Sequence, residues 1–367
     1  MNARRLSFLI FLILIPAFLF AQASAENQML ASDYYSAVDA NGRTVKLNEK
    51  PVKVLIAGKA GNMPANALFL FPEVEDMDLT LPLTDQGLGD FFAFIRPSLH
   101  DTVRISQNAS VEEIASREPQ LVLTKATHFE SIAKKLDQLG VPNFTLNLES
   151  YEDWQKEIVQ LGKLLKNTKR AEQILSMYEN RLLQVTSKVS TLSEVNKKRV
   201  LLLQGARGDN ANSFKIAPDT WMQTWMVETI GATPVWKGAN SAANGWSTVS
   251  FEQIAAWNPE VMYIVSYKTP SDSFIKEIYN SPLWADLDAV KNHQVKQTPS
   301  DMMNYIQPVA SWILGVEWMA KDLYPSLFPT MDMEKQIASF YHDFYSIKDE
   351  AMLEELQKRY KASISLN

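Results

Sequence analysis

Two carboxylates stand out by their setting. Ser110, Glu112, Ile114, Ala115 and Pro119 recur at the same offsets, 140 positions later, as Ser250, Glu252, Ile254, Ala255 and Pro259. In each copy a serine is placed to cap a helix, and Glu113 or Gln253 three residues on can complete a capping box. Proline then ends the helix, and an apolar run (121–123 or 261–265) starts a strand. Glu112 and Glu252 thus fall in the first turns of matched helices, where their charge suits the helix dipole. The chemistry open to such a pair is charge-assisted docking, with arginine as the natural counter-residue. The plainer account is that they only stabilise helix N-termini. A helix–Pro–strand unit present in both halves predicts two similar lobes. A cleft between lobes is a common ligand site.

A second group of residues follows from where ligands sit in open α/β sheets, beyond the carboxyl ends of strands. In the first half that rule selects Lys59, Asn62 and Met63 in one loop and Lys125 and His128 in another. Arg96, beside Phe91 and Phe92, makes a similar aromatic and basic group. In the second half it selects Arg207 in the loop 204–210, Tyr267 and Tyr305, with Trp246 just ahead of the second repeat. Basic groups among aromatics suit an anionic, partly apolar ligand. For any one of them, core packing or a solvated face is the competing account. The turn 58–62 ahead of a helix also offers backbone N–H groups to a small oxyanion.

Other chemistry is poorly supported. Capture of bare Zn²⁺ or Mn²⁺ wants several His and carboxylates converging. The chain has only His100, His128, His293 and His342. No resident metal or cofactor is expected. G-x-S-x-G and H-E-x-x-H are absent, and there is no cysteine nucleophile. A secreted hydrolase built on scattered Ser, Asp and His remains the alternative from another class. Arg207, Gly208 and Asp209 spell an adhesion tripeptide, a string short enough to arise by chance.

The elements that must position these groups read as α/β alternation. Asn41 and Gly42 turn a small hairpin. Strands are expected at 52–57, 121–124 and 144–148, with a helix at 129–139. The second half repeats the pattern with strands at 199–205, 261–266 and 295–298, and a helix at 221–230 stopped by Gly231. Between the halves, Ala171, Ile174, Leu175, Tyr178, Leu182, Val185, Val189 and Leu192 form one apolar stripe. A helix of about 25 residues would span nearly 40 Å, the width of a lobe. Residues 330–367 are helical in pattern and charged, and are expected to pack on the outside.

Composition bounds the rest. Arg4 and Arg5, the apolar run 6–20 and the Ala23, Ser24, Ala25 site read as a secretory leader removed after Ala25. The run is short for a membrane span, which needs about 20 residues. Of 367 residues, 342 would then remain, with 34 basic against 42 acidic side chains. An acidic chain without a basic block is not built for nucleic acid. The lack of cysteine removes the attachment point of a lipoprotein. The expected division is a leader at 1–25, a lobe at 26–165, a connecting helix at 166–195, a second lobe at 196–329 and a tail at 330–367.

The order of these features resembles the periplasmic substrate-binding proteins of the ferric-siderophore, haem and cobalamin type, which serve ABC importers. The resemblance rests on the 39–50 hairpin with Gly42 and Arg43, the twin Ser-x-Glu-x-Ile units and the 163–195 stretch. It also rests on the closing run 287–295 and on 318–325, where Trp318, Tyr324 and Pro325 stand. It implies two Rossmann-like lobes with mainly parallel sheets, joined by a single long α-helix, with the ligand cleft between them. It implies a monomer that binds without catalysis. The ligand would be a ferric siderophore, haem or corrinoid, or, as in some relatives of this fold, molybdate or tungstate. The partner would be a permease dimer with its ATPase, docked through Glu112 and Glu252.

Overall fold

The structure is a computed structural model that describes residues 35–83, 86–207, 212–242, 245–267 and 271–365, without the side chains of Arg207 and Asn212. The leader expected at 1–25 lies outside the described residues.

An antiparallel hairpin opens the fold, with β1 (Tyr35–Val38) paired to β2 (Thr44–Leu47). Asp39 holds its turn. The carboxylate accepts the N–H groups of Asn41 and Arg43 at 3.1 and 2.9 Å and the Thr145 hydroxyl at 2.8 Å, which ties the hairpin to the first lobe.

The first lobe is a sheet of β3 (Lys53–Ala57), β4 (Asp78–Thr80), β5 (Leu121–Lys125) and β6 (Asn143–Leu146). All pairs are parallel, in the order β4-β3-β5-β6. The continuous apolar strands reflect burial on both faces. In β3, Val54 and Ile56 join the main core, while Leu55 and Ala57 join a smaller cluster with Ile114 and Val122. That is the two-residue alternation of a strand.

The second lobe contains β7 (Arg199–Arg207), β8 (Asn212–Ile216), β9 (Thr233–Pro234), β10 (Ser247–Thr248), β11 (Val261–Val265) and β12 (Val295–Gln297). Here β8 and β10 are antiparallel additions on one side of β7. Setting them aside leaves a parallel order β9-β7-β11-β12, the same as in the first lobe. The sequence repeat is therefore a topological one. Helix Val111–Ala115 precedes β5 and helix Phe251–Trp257 precedes β11, each the third parallel strand of its lobe in chain order. Strand order reverses between β3 and β5 and between β7 and β11, so each lobe offers a crevice there.

Several boundaries differ from the sequence reading. The loop expected at 204–210 is strand as far as Arg207, because Gln204, Gly205 and Ala206 pair with Lys215, Phe214 and Ser213 of β8. The span 129–139 contains a π-helical segment, Phe129–Ala133, before its α-helix Lys134–Gln138. The connecting helix is Thr168–Val189, shorter than the expected 166–195. At its start Asn167 caps the Arg170 N–H, and at its end the Ser190 and Thr191 hydroxyls turn back onto the Ser187 and Lys188 carbonyls. Such local bonds compete with helix continuation. A second helix, Tyr151–Leu164, leads into it and begins with a reciprocal capping box between Ser150 and Asp153.

The tail packs on the outside, as expected, with one face of each helix exposed, and it covers the first lobe as well as the second. Helix Met333–Tyr345 reaches back to the first lobe, where Phe91 packs against Tyr341 and Tyr345 and the Tyr345 hydroxyl donates to Asn66. Arg170 of the connecting helix donates to the Leu70 carbonyl of the first lobe and to the Phe344 carbonyl of this tail helix. Arg359, in the last helix Glu350–Ile364, donates to the Leu88 carbonyl. Buried side chains from the hairpin, both lobes, the connecting helix and the tail form one core cluster. Among the described residues no helix is long and apolar enough to cross a membrane.

Candidate functional site

A cavity of about 290 Å³ lies where the two lobes meet. The first lobe supplies Ala60, Asn62 and Met63 after β3, Gln86 after β4, Gln107, and Glu149 after β6. The second supplies Trp221, Gln223, Trp246, Tyr267 after β11, and Gln307 and Pro308 after β12. Most contributions come from beyond the carboxyl ends of parallel strands, as the switch-point geometry requires, while Gln107, Trp221, Gln223 and Trp246 come from other loops and a helix start. Two further cavities, of about 200 and 610 Å³, also have Gln86 in their walls.

The wall is aromatic and amide-rich. Trp246 stands between Trp221 and Tyr267, with ring centroids 6.1 and 6.4 Å away in edge-on contacts. Gln86 and Gln307 exchange a hydrogen bond across the lobes at 3.2 Å. The Tyr267 hydroxyl donates to the Ile306 carbonyl at 2.9 Å, and burial pushes its pKa well up. The lobes are also joined directly beside the cavity. The Met222 N–H donates to the Glu149 carbonyl at 2.6 Å, and Tyr151 stacks on Trp225 at 4.3 Å.

Of the residues expected at the ligand, Asn62, Met63, Trp246 and Tyr267 line this cavity. Lys59 is exposed beside it, and His128 turns its Nε2 to the Lys59 carbonyl at 3.2 Å, so neither lines it. Lys125 is 2% exposed. It is drawn under the wall by an ion pair with Glu149 at 2.9 Å and a bond to the Asn147 carbonyl. Arg96 is engaged elsewhere, donating to the Val74, Glu75 and Met77 carbonyls at the end of a 3₁₀ turn. Phe91 and Phe92 beside it are core. Tyr305 is core too, its hydroxyl held by the buried Asp301 at 2.9 Å. For Arg207 the side chain is outside the described residues, as are Gly208, Asp209 and Lys268. The expected basic lining is therefore not what the structure places at the cavity: among the described lining residues none is cationic. Gln86, Gln107, Glu149, Trp221, Gln223 and Gln307 were missed. Gln107 had a signal, since it stands just ahead of the first repeat as Trp246 stands ahead of the second. Glutamines give no periodic or charge signal.

Beneath the cavity lies a buried polar cluster. Glu157 accepts the Asn147 and Leu148 N–H groups at 2.8 and 3.1 Å. Burial first, and then the nearby Asp153 charge, push its pKa up to about 8. The described residues hold no group of His, Cys, Asp and Glu arranged to bind a metal ion.

The repeated glutamates lie elsewhere. Glu112 and Glu252 are exposed in the first turns of their helices. Ser110 and Ser250 cap the Glu113 and Gln253 N–H groups at 3.1 and 3.3 Å. Each glutamate carboxyl is held below its ordinary range by its own backbone N–H first and then by the capping serine.

These features define a two-lobed binder of the kind that holds a solute between similar α/β units. A family model described as periplasmic binding protein matches residues 101–302, more than half of the 367, and the chain belongs to that family. It is an ABC transporter substrate-binding protein rather than an enzyme, and such proteins work with a membrane permease and an ATPase. The chain is 25% identical over 296 residues to the uncharacterized ABC transporter substrate-binding lipoprotein YvrC of Bacillus subtilis, covering 79% of this chain and 85% of that one. It is 21% identical to the Fe(3+)-citrate-binding protein YfmC of the same organism, over 77% of this chain and 85% of the relative. It is 23% identical to the molybdate-binding protein MolA of Haemophilus influenzae, over 76% of each. The molybdate-bound crystal structure of MolA superposes with a TM-score of 0.69, covering 85% of this chain and 98% of the other.

Proposed function

We propose that this chain captures a compact metal chelate between its lobes and delivers it to an ABC importer. The observation that carries the reading is the cavity itself. Three aromatic rings and five amide side chains from both lobes converge on it, a wall suited to the apolar and hydrogen-bonding exterior of a chelated metal rather than to a bare ion. At about 290 Å³ it is small for a drug-sized ligand, for which roughly 300–1,000 Å³ is usual. A ferric siderophore of modest size suits it better than haem or a corrinoid. The larger cavity beyond Gln86 gives bulkier arms a place to lie. The Fe(3+)-citrate-binding relative is named for a metal chelate, though an anionic one.

Residues 1–25 act in this reading as a cleaved leader, and the mature chain is a monomer free in the periplasm. Glu112 and Glu252 are the docking points for the permease.

A second reading, a small oxyanion such as molybdate, has one favouring observation. MolA is named for molybdate and was solved with it bound, and here Asn62 opens a helix at the cavity wall.

Native mass spectrometry of protein taken from its own periplasm tests the proposal. A retained mass matching an iron-containing chelate is the expected result. Titration should quench the emission of Trp221 and Trp246, with the change reduced in Trp246→Phe. Retention of molybdate, or quenching by molybdate and not by ferric chelates, overturns the chelate reading.

A further inference from the structure

We propose that the cavity selects chelates of neutral or positive charge that present N–H or O–H donors, with Glu149 and Gln223 as the accepting groups. The inference rests on the chelate-capture reading and narrows it to a charge class.

Two independent observations carry it. The first is the charge of the wall. Among the described lining residues Glu149 is the one carboxylate, and none is Lys, Arg or His. Lys125 does not reverse this, because it is 2% exposed and spends its donors on Glu149 Oε1 and the Asn147 carbonyl. The described residues give Glu149 Oε2 no hydrogen bond. The Lys125–Glu149 pair therefore turns its carboxylate end to the cavity, and an anionic chelate would shed its water against that end rather than against the ammonium behind it. The formal net charge of −6 over the whole chain adds repulsion of the same sign.

The second observation is an orphaned acceptor. Gln223 lines the cavity and is 1% exposed. The Tyr267 hydroxyl gives its proton to the Ile306 carbonyl, which can only accept. Gln223 Oε1 is buried and has no hydrogen-bond partner. A buried acceptor without a donor is rare in folded proteins and calls for an outside partner. A ligand N–H or O–H supplies one. Gln86, Gln107 and Gln307 carry both donors and acceptors and so impose no charge preference of their own.

Four probes test this on the full chain: a cationic ferric trihydroxamate with a free amine, its neutral N-acetylated form, a trianionic ferric tris-catecholate, and molybdate. The first two should bind at least about tenfold more tightly than the trianion. Glu149→Gln should weaken the cationic chelate and strengthen the trianion, narrowing the ratio by on the order of tenfold. Gln223→Met should weaken the donor-bearing chelates and spare the trianion. A merely structural role for either residue would weaken all chelates alike, and that result overturns the proposal. So does a trianion bound as tightly as the cation, including the case where R207A or K268A abolishes that binding. In those cases chelate capture stands. If no ferric chelate binds and molybdate does, the chelate reading itself fails.

Discussion

Glu157 brings an ionisable group under the ligand cavity and keeps its proton there. Its folded pKa of about 8 lies above its ordinary value of 4.5, so the folded state holds more protons than the unfolded state between those values. Stability from this group is full below about pH 4.5 and is lost as pH rises through 8. The loss amounts to a few kcal/mol at most, on the order of 1.4 per pH unit. Urea denaturation across pH 5–9 should show that decline, and Glu157→Gln should flatten it while keeping an oxygen for the Asn147 and Leu148 N–H groups. A variant as pH-sensitive as the parent would show that another group controls the slope. At this scale the sequence was partly legible. Trp246 and Tyr267 could be placed because they follow or precede recognisable elements. Lys125 could not, because nothing local to a strand end says that Glu149, 24 residues on, will draw the ammonium inward.

Helix crossings depend on two glycines with no room for a side chain. A Cβ on Gly315 would lie 2.5 Å from the Tyr305 carbonyl oxygen, and one on Gly162 would lie 2.6 Å from Ala171 Cβ. Gly315→Ala should cost roughly 1–3 kcal/mol, read as a lower urea midpoint. Next to Gly315, the helix Trp312–Leu323 is clamped to the connecting helix by Arg181, which donates to both oxygens of the buried Glu317 at 2.9 and 2.8 Å. Glu317→Gln should cost more, about 3–5 kcal/mol, because it leaves the Arg181 charge buried without its counter-charge. A loss below 1 kcal/mol would mean that Ser339 and the Gln336 carbonyl, its other partners, suffice. The apolar stripe located the connecting helix well, with Ala171, Ile174, Tyr178, Leu182, Val185 and Val189 all buried. Its end was overshot because Leu192 continues the stripe in a turn. Helix Tyr151–Leu164 was legible in principle, since Ser150 with Asp153 spells its cap and Trp154, Ile158 and Leu161 its buried face. Strand β8 was not, since its pairing with β7 is a tertiary choice.

The whole molecule combines a shared core with two exposed glutamates far along the chain from each other. One core cluster through both lobes predicts a single calorimetric unfolding transition; two resolved peaks would contradict it. Replacing Glu112 and Glu252 together with Ala should leave ligand affinity nearly unchanged, because neither lines the cavity. It should sharply lower uptake in cells. Normal uptake in the double variant would remove docking from the account, and lost binding would mean that the two residues shape the cleft after all. The lobe duplication was readable from thirteen residues, whereas the return of the tail to the first lobe was not, because a charged helical pattern does not say which surface it will cover. That return has a consequence in time. Synthesis delivers residues 35–165 first, yet Phe91 waits for Tyr341 and Tyr345, and Arg170 waits for the Phe344 carbonyl. A chain still emerging holds an unfilled aromatic socket in its earliest lobe and cannot complete it alone. The final helices are thus the pieces that complete the core of the lobe made first.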